Sequence, residues 1–184
     1  MRTTGPVARA EQTTSAVTSA TDDVKAITKA VAYGLRSTQS RPQTVAEITA
    51  KLNGRFDDGA VVAAAVEQLE SLGALDDVTF ARMWVEDRGH RRGYGLTRLR
   101  QELRRRQVPE DIAQAALASL GERDELMTAS DLARRRAATL PAALEPAAVA
   151  RRLHAYLVRR GYNQGLANKV AINVSGLARH REWD

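Results

Sequence analysis

The sequence predicts an all-α protein built from three tandem three-helix repeats that form an elongated, curved array. Three observations carry this reading. Apolar residues recur at the same offsets in three places: Ile48, Leu52, Val61, Val66 and Leu69; Leu99, Leu103, Ile112, Leu117 and Leu120; Leu153, Leu157, Leu166, Ala171 and Val174. The offsets are 0, 4, 13, 18 and 21 each time, and the copies begin 51 and then 54 residues apart, which marks a repeat architecture. Apolar residues four apart share one helix face, and no stretch shows the two-residue alternation of a half-buried strand. The chain is 43% hydrophobic but only 4% aromatic; much of the apolar content is alanine, which makes thin helical cores.

Residues 1–21, MRTTGPVARAEQTTSAVTSAT, are small and polar without periodicity, and predict a disordered tail. The first repeat is expected over 22–75. A helical stretch at 22–37 leads to Thr44 as a helix cap, with Glu47 three residues on completing a capping box before Ile48 and Leu52. The second repeat, 76–121, holds a helix near 77–90, then the Leu99/Leu103 helix, and Pro109 in the first turn of a third. The third repeat, 122–184, follows the same plan, with a helix near 124–139 and Pro146 opening the next. Each second helix is followed by a turn: NGRFDD, RRQVPE or RRGYNQ. A unit of about 50 residues buries little surface, so neighbouring repeats must support one another.

Composition narrows the function. There are no cysteines among 184 residues, which excludes disulfides and thiolate metal sites and fits a reducing cytoplasm. His90, His154 and His180 have no ligand spacing, so no metal site is expected. Asp57-Asp58 and Asp76-Asp77 read as helix caps rather than metal ligands. No apolar run reaches membrane-spanning length, and no secretion signal opens the chain. No nucleophile–base arrangement or Walker loop occurs, and Gly93-x-Gly95 is too short for a dinucleotide fingerprint. Neither catalytic residues nor a cofactor are expected.

Charge is distributed unevenly. Residues 1–78 hold 8 Lys+Arg and 10 acids, whereas residues 79–184 hold 20 and 12. The densest run lies between Arg88 and Arg106, with eight arginines and one acid, Glu102. Placed on a helix at about 100° per residue, Leu96, Leu99 and Leu103 share one side while Arg98, Gln101, Arg104 and Arg105 take the other, with Arg100 at the flank. Arg106 falls near the apolar side, where its stem can snorkel and Glu102 can pair with it. Gly93 and Gly95 are expected to permit a tight entry at positive φ, holding Tyr94 between Arg91-Arg92 and Arg98-Arg100. Arg100 and Arg104 are like charges four apart, which weakens a helix, so the density points to a binding face for carboxylates or phosphates. The candidate contacts are Arg88, Arg91, Arg92, Tyr94, Arg98, Arg100, Arg104 and Arg105, with Arg159 and Arg160 at the turn of the third repeat. Gly161 there reads as a helix C-cap beside a core Tyr162. Arg134-Arg135-Arg136 reads as a solvated face.

Residues 75–103, LDDVTFARMWVEDRGHRRGYGLTRLRQEL, resemble the central signature of the RecX family: an LDD step, F-A-x-x-aromatic-V-x-x-R, a basic Gly-Tyr-Gly stretch, and an I/L-R-Q-E-L helix. SRPQTVAEITAKL, residues 40–52, and LVRRGYNQGLANKV, residues 157–170, resemble the first- and third-repeat motifs. Leu96 stands where the family often has proline, and Arg-Arg-Gln-Val where Lys-Gly-Val is common. The resemblance implies a small, all-helical regulator that binds the RecA–DNA filament in its helical groove. It further implies inhibition of ATPase, strand-exchange and co-protease activity in homologous recombination and the SOS response. The partner is then the RecA filament, with weak direct ssDNA or dsDNA contact alongside, and the chain a cytoplasmic monomer. The alternative is a nucleic-acid-binding module acting alone through its basic C-terminal repeats without sequence preference.

Overall fold

The computed structural model describes residues 7–177, with side chains described for 21–121 and 125–177. Among these residues there are nine α-helices, one π-helical turn and no strand. The helices are α1 (Val7–Ser40), α2 (Val45–Asn53), α3 (Gly59–Ser71), α4 (Asp77–Val85), α5 (Leu96–Arg105), α6 (Glu110–Ala118), α7 (Glu122–Ala137), α8 (Pro146–Arg159) and α9 (Gln164–Ser175). They sort in threes around separate cores, so the all-α helical-repeat architecture read from the sequence is the one the chain adopts. The chain divides into two compact units, Met1–Asp76 and Asp77–Asp184.

The first unit packs α1, α2 and α3 together. Thr44 caps α2 as read from the sequence: its hydroxyl accepts from the Glu47 amide and the Glu47 side chain returns to the Thr44 amide. Asp58 caps α3 by accepting from the Ala60 amide. Ile48, Leu52 and Leu69 are fully buried. Gly34, in mid-helix, packs closely against Leu69, whose Cδ1 would have to shift to admit a Cβ there. The tail expected over 1–21 is corrected in part. Residues 7–21 belong to α1, while residues 1–6 lie outside the described residues. Neither glycine nor proline interrupts the chain between Pro6 and Gly34, so nothing stops a helix anchored at Ala30 and Val31 from propagating backwards.

The second unit contains two three-helix cores. Leu99, Leu103, Leu153 and Leu157 are fully buried, matching Ile48 and Leu52 in the first unit. The third-helix register differs from the expectation. Ile112 and Leu166, taken as core by the repeat pattern, are half-buried. The residues one place on, Val62, Ala113 and Ala167, are buried in all three copies. Alanine closes the helix–helix gap there, and its abundance elsewhere hides it from a pattern search. Pro109 stands at the N-cap of α6, one place before the first turn. Pro146 does open α8.

Two features break regularity. The helix expected over 77–90 passes from α to π geometry at Glu86–Arg91, where buried Gly89 lies against Leu120 and Leu99. Gln107 adopts a left-handed φ of 56° at the position where Gly161, at φ 91°, ends α8. In both turns the next residue, Val108 or Tyr162, donates its amide back to Leu103 or Leu157, the helix-ending pattern that favours glycine.

Candidate partner-binding surface

The π turn and α5 bring the arginine run into two distinct environments. Arg88 projects back over Trp84, with its guanidinium carbon 3.6 Å from the ring centroid. Its Nε lies 3.3 Å from Glu102 Oε2, within ion-pair range but outside hydrogen-bond geometry. Glu102 also accepts from Trp84 Nε1 at 3.2 Å and from Arg98 Nε at 3.0 Å. Arg98 stacks on Tyr94 at 3.7 Å. The single acid of the run is therefore a hub that ties α4, the π turn and α5 together. Arg106 sits over Trp84 at 4.5 Å, so its stem runs along the apolar side as expected. The aromatics here are spent on this internal lattice: Trp84 and Tyr94 both pack against the second core.

The Gly-Tyr-Gly segment is a joint rather than a display. Gly93 has φ 64°, as anticipated, but Gly95 is extended, at φ −76° and ψ 161°. Gly95 is needed for close approach: its amide donates to Arg160 O at 2.9 Å, and the Thr97 amide donates to Gly161 O at 3.1 Å. A Cβ on Gly95 would lie 2.5 Å from Gly161 C and from Tyr162 N. Gly161 is equally constrained, since a Cβ there would lie 2.6 Å from Arg98 N. Arg160 Nη1 donates to Arg92 O at 2.5 Å, and Tyr162 Oη donates to Gly93 O at 3.2 Å. Glu125 of α7 accepts from the Leu96 amide at 3.0 Å, supplying from the next repeat the cap that α5 lacks in its own sequence. Burial, then the charge of Glu125, pushes the Tyr162 phenol above its usual range, against the opposing pull of Arg160. Tyr162 is thus core, as the sequence indicated.

The ten candidate contacts accordingly divide. Arg88, Arg98 and Arg160 are half-buried and engaged internally, and Tyr94 lies beneath Arg98. Arg92 is exposed and pairs with Asp87 at 3.1 Å. Arg91, Arg100, Arg104, Arg105 and Arg159 are exposed and have no side-chain partner among the described residues. Gln101, placed on the outward face by the sequence, and Thr97, which the charge pattern passed over, are exposed on α5. Among the described residues no cluster of three or more His, Asp or Glu is placed to hold a metal, and no helix is long and apolar enough to cross a membrane.

The fold and surface define a class: a helical-repeat protein that exposes several guanidinium groups with no partner among the described residues. A family model described as the second three-helix domain of RecX matches residues 76–117. The chain is 38% identical over 143 residues to the regulatory protein RecX of Thermobifida fusca, covering 77% of this chain and 76% of that one. It is 36% identical over 152 residues to the regulatory protein RecX of Mycobacterium sp. strain KMS, covering 80% and 83%. The crystal structure of RecX from Lactobacillus salivarius superposes with a TM-score of 0.71 at 15% identity, over 82% of this chain and 97% of that one. The chain belongs to the RecX family of regulatory proteins.

Proposed function

We propose that this chain is a non-enzymatic regulator that binds the RecA–DNA filament, as a monomer in the cytoplasm, along the filament's helical groove. It inhibits ATP hydrolysis, strand exchange and co-protease activity in recombination and SOS repair. The observation that carries the reading is the set of exposed arginines with no partner among the described residues, Arg91, Arg100, Arg104, Arg105 and Arg159, on a member of this family. Unpaired guanidinium groups retain their full capacity for carboxylate or phosphate, and contacts with successive protomers add through multivalency. Arg88, Arg98 and Arg160 serve instead to hold the surface in shape.

The test is steady-state ATP hydrolysis by RecA on single-stranded DNA. The parent protein lowers the rate. Arg91→Glu/Arg100→Glu/Arg104→Glu, which changes no internal contact, retains the parent's thermal midpoint and relieves most of the inhibition. A folded triple variant that inhibits like the parent refutes the assignment of these arginines. Binding to bare duplex and single-stranded DNA across a salt series decides against the alternative nucleic-acid module. That module requires bare-DNA affinity equal to filament affinity and a steep salt slope.

A further inference from the structure

A cleft of about 290 Å³ opens between α5 and the end of α8, wholly within the second unit. Thr97, Gln101 and Arg105 line it from α5, and Arg159 from α8, with Arg98 and Glu102 also at its edge. The charge of Glu102 is already matched by Arg88 and Arg98. Arg105 and Arg159 are exposed and have no partner among the described residues. Two uncompensated guanidinium groups therefore line one bounded space, with a hydroxyl and an amide beside them.

We propose that this cleft receives an Asp or Glu side chain of an acidic peptide segment, its carboxylate gripped between Arg105 and Arg159 with Gln101 and Thr97 as further donors. The inference deepens the function proposed above and rests on it for the partner being a protein. Charge complementarity requires an anion. A planar carboxylate matches the planar guanidinium fork, two oxygens to two N–H groups. A nucleic-acid backbone demands a row of cations along a track. The remaining free arginines of α5, Arg100 and Arg104, lie about 100° or more round the helix from Arg105, so no such row runs through the cleft. Its volume suits one or two side chains rather than a strand.

The experiment titrates the 184-residue chain, ¹⁵N-labelled at arginine, with a synthetic Asp/Glu-rich decapeptide and, separately, with an oligothymidylate of equal charge. The peptide shifts the Nε–Hε signals of Arg105 and Arg159 and leaves those of Arg100 and Arg104 in place. Arg105→Ala/Arg159→Ala keeps the parent's thermal midpoint and binds the peptide about a hundredfold more weakly, the loss of two charge-assisted contacts at about tenfold each. Unmoved cleft signals, unchanged peptide affinity in the double variant, or preferential capture of the cleft by the oligonucleotide overturns the proposal. The two readings fail separately. If the parent inhibits the filament and Arg105→Ala/Arg159→Ala inhibits equally, the cleft proposal falls and the regulatory reading stands. If the parent does not touch the filament, the regulatory reading falls, and the peptide titration still decides whether the cleft binds acidic peptide.

Discussion

Replacing Gly95 with alanine adds one carbon where the backbone of the α5 entry meets the backbone at Gly161 and Tyr162. The new Cβ would meet Gly161 O and lie 2.5 Å from Gly161 C and Tyr162 N. The obstacle is backbone on both sides, so no side-chain rotation relieves it. The segments must part, which breaks the hydrogen bonds Gly95 N–Arg160 O and Thr97 N–Gly161 O. Each is worth about 1 kcal/mol net, and forced displacement in a packed region adds about 1–3 kcal/mol. Alanine returns about 0.4–1 kcal/mol by restricting the unfolded chain. The net expectation is a loss of about 2–4 kcal/mol. Urea denaturation with Gly59→Ala as the control measures it: Gly59 opens α3 with nothing within 4 Å of an added Cβ, so alanine there is neutral or stabilising. Hydrogen exchange should show the Gly95 and Thr97 amides losing protection in the Gly95 variant. A Gly95→Ala protein as stable as Gly59→Ala, with both amides still protected, would refute the close-approach argument.

Other consequences follow from the same geometry. Leu103→Ala should destabilise the second core by about 2–5 kcal/mol, because the side chain is fully buried, whereas Arg105→Ala should leave the denaturation midpoint nearly unchanged. Tyr162 has a folded-state pKa raised above the ordinary 10.0, so the unfolded chain loses its phenolic proton first. Its contribution is complete below pH 10 and falls as pH climbs above it. Tyr162→Phe, which loses the bond to Gly93 O, should cost about 1 kcal/mol at neutral pH and show a smaller alkaline decline than the parent in thermal midpoint.

What the sequence determined by itself was local. Ile48/Leu52, Leu99/Leu103 and Leu153/Leu157 each place two apolar side chains on one turn-spaced face, so their burial in α2, α5 and α8 was legible from spacing alone. The Thr44–Glu47 capping box likewise joins residues three apart, and its chemistry is written in the order of the chain. The tertiary structure decided what depends on distant residues. Buried Ala113 and Ala167 look like any other alanine until a neighbouring helix closes over them. Gly95 is constrained by Gly161, 66 positions away, and its φ gives no hint of it. Arginines that read alike along the chain separate only in three dimensions. Trp84 and Glu102 claim Arg88, Tyr94 and Glu102 claim Arg98, and the Arg92 carbonyl claims Arg160. Arg100, Arg104 and Arg105 have no partner among the described residues, because the one acid in that run is already engaged by donors that folding brings to it.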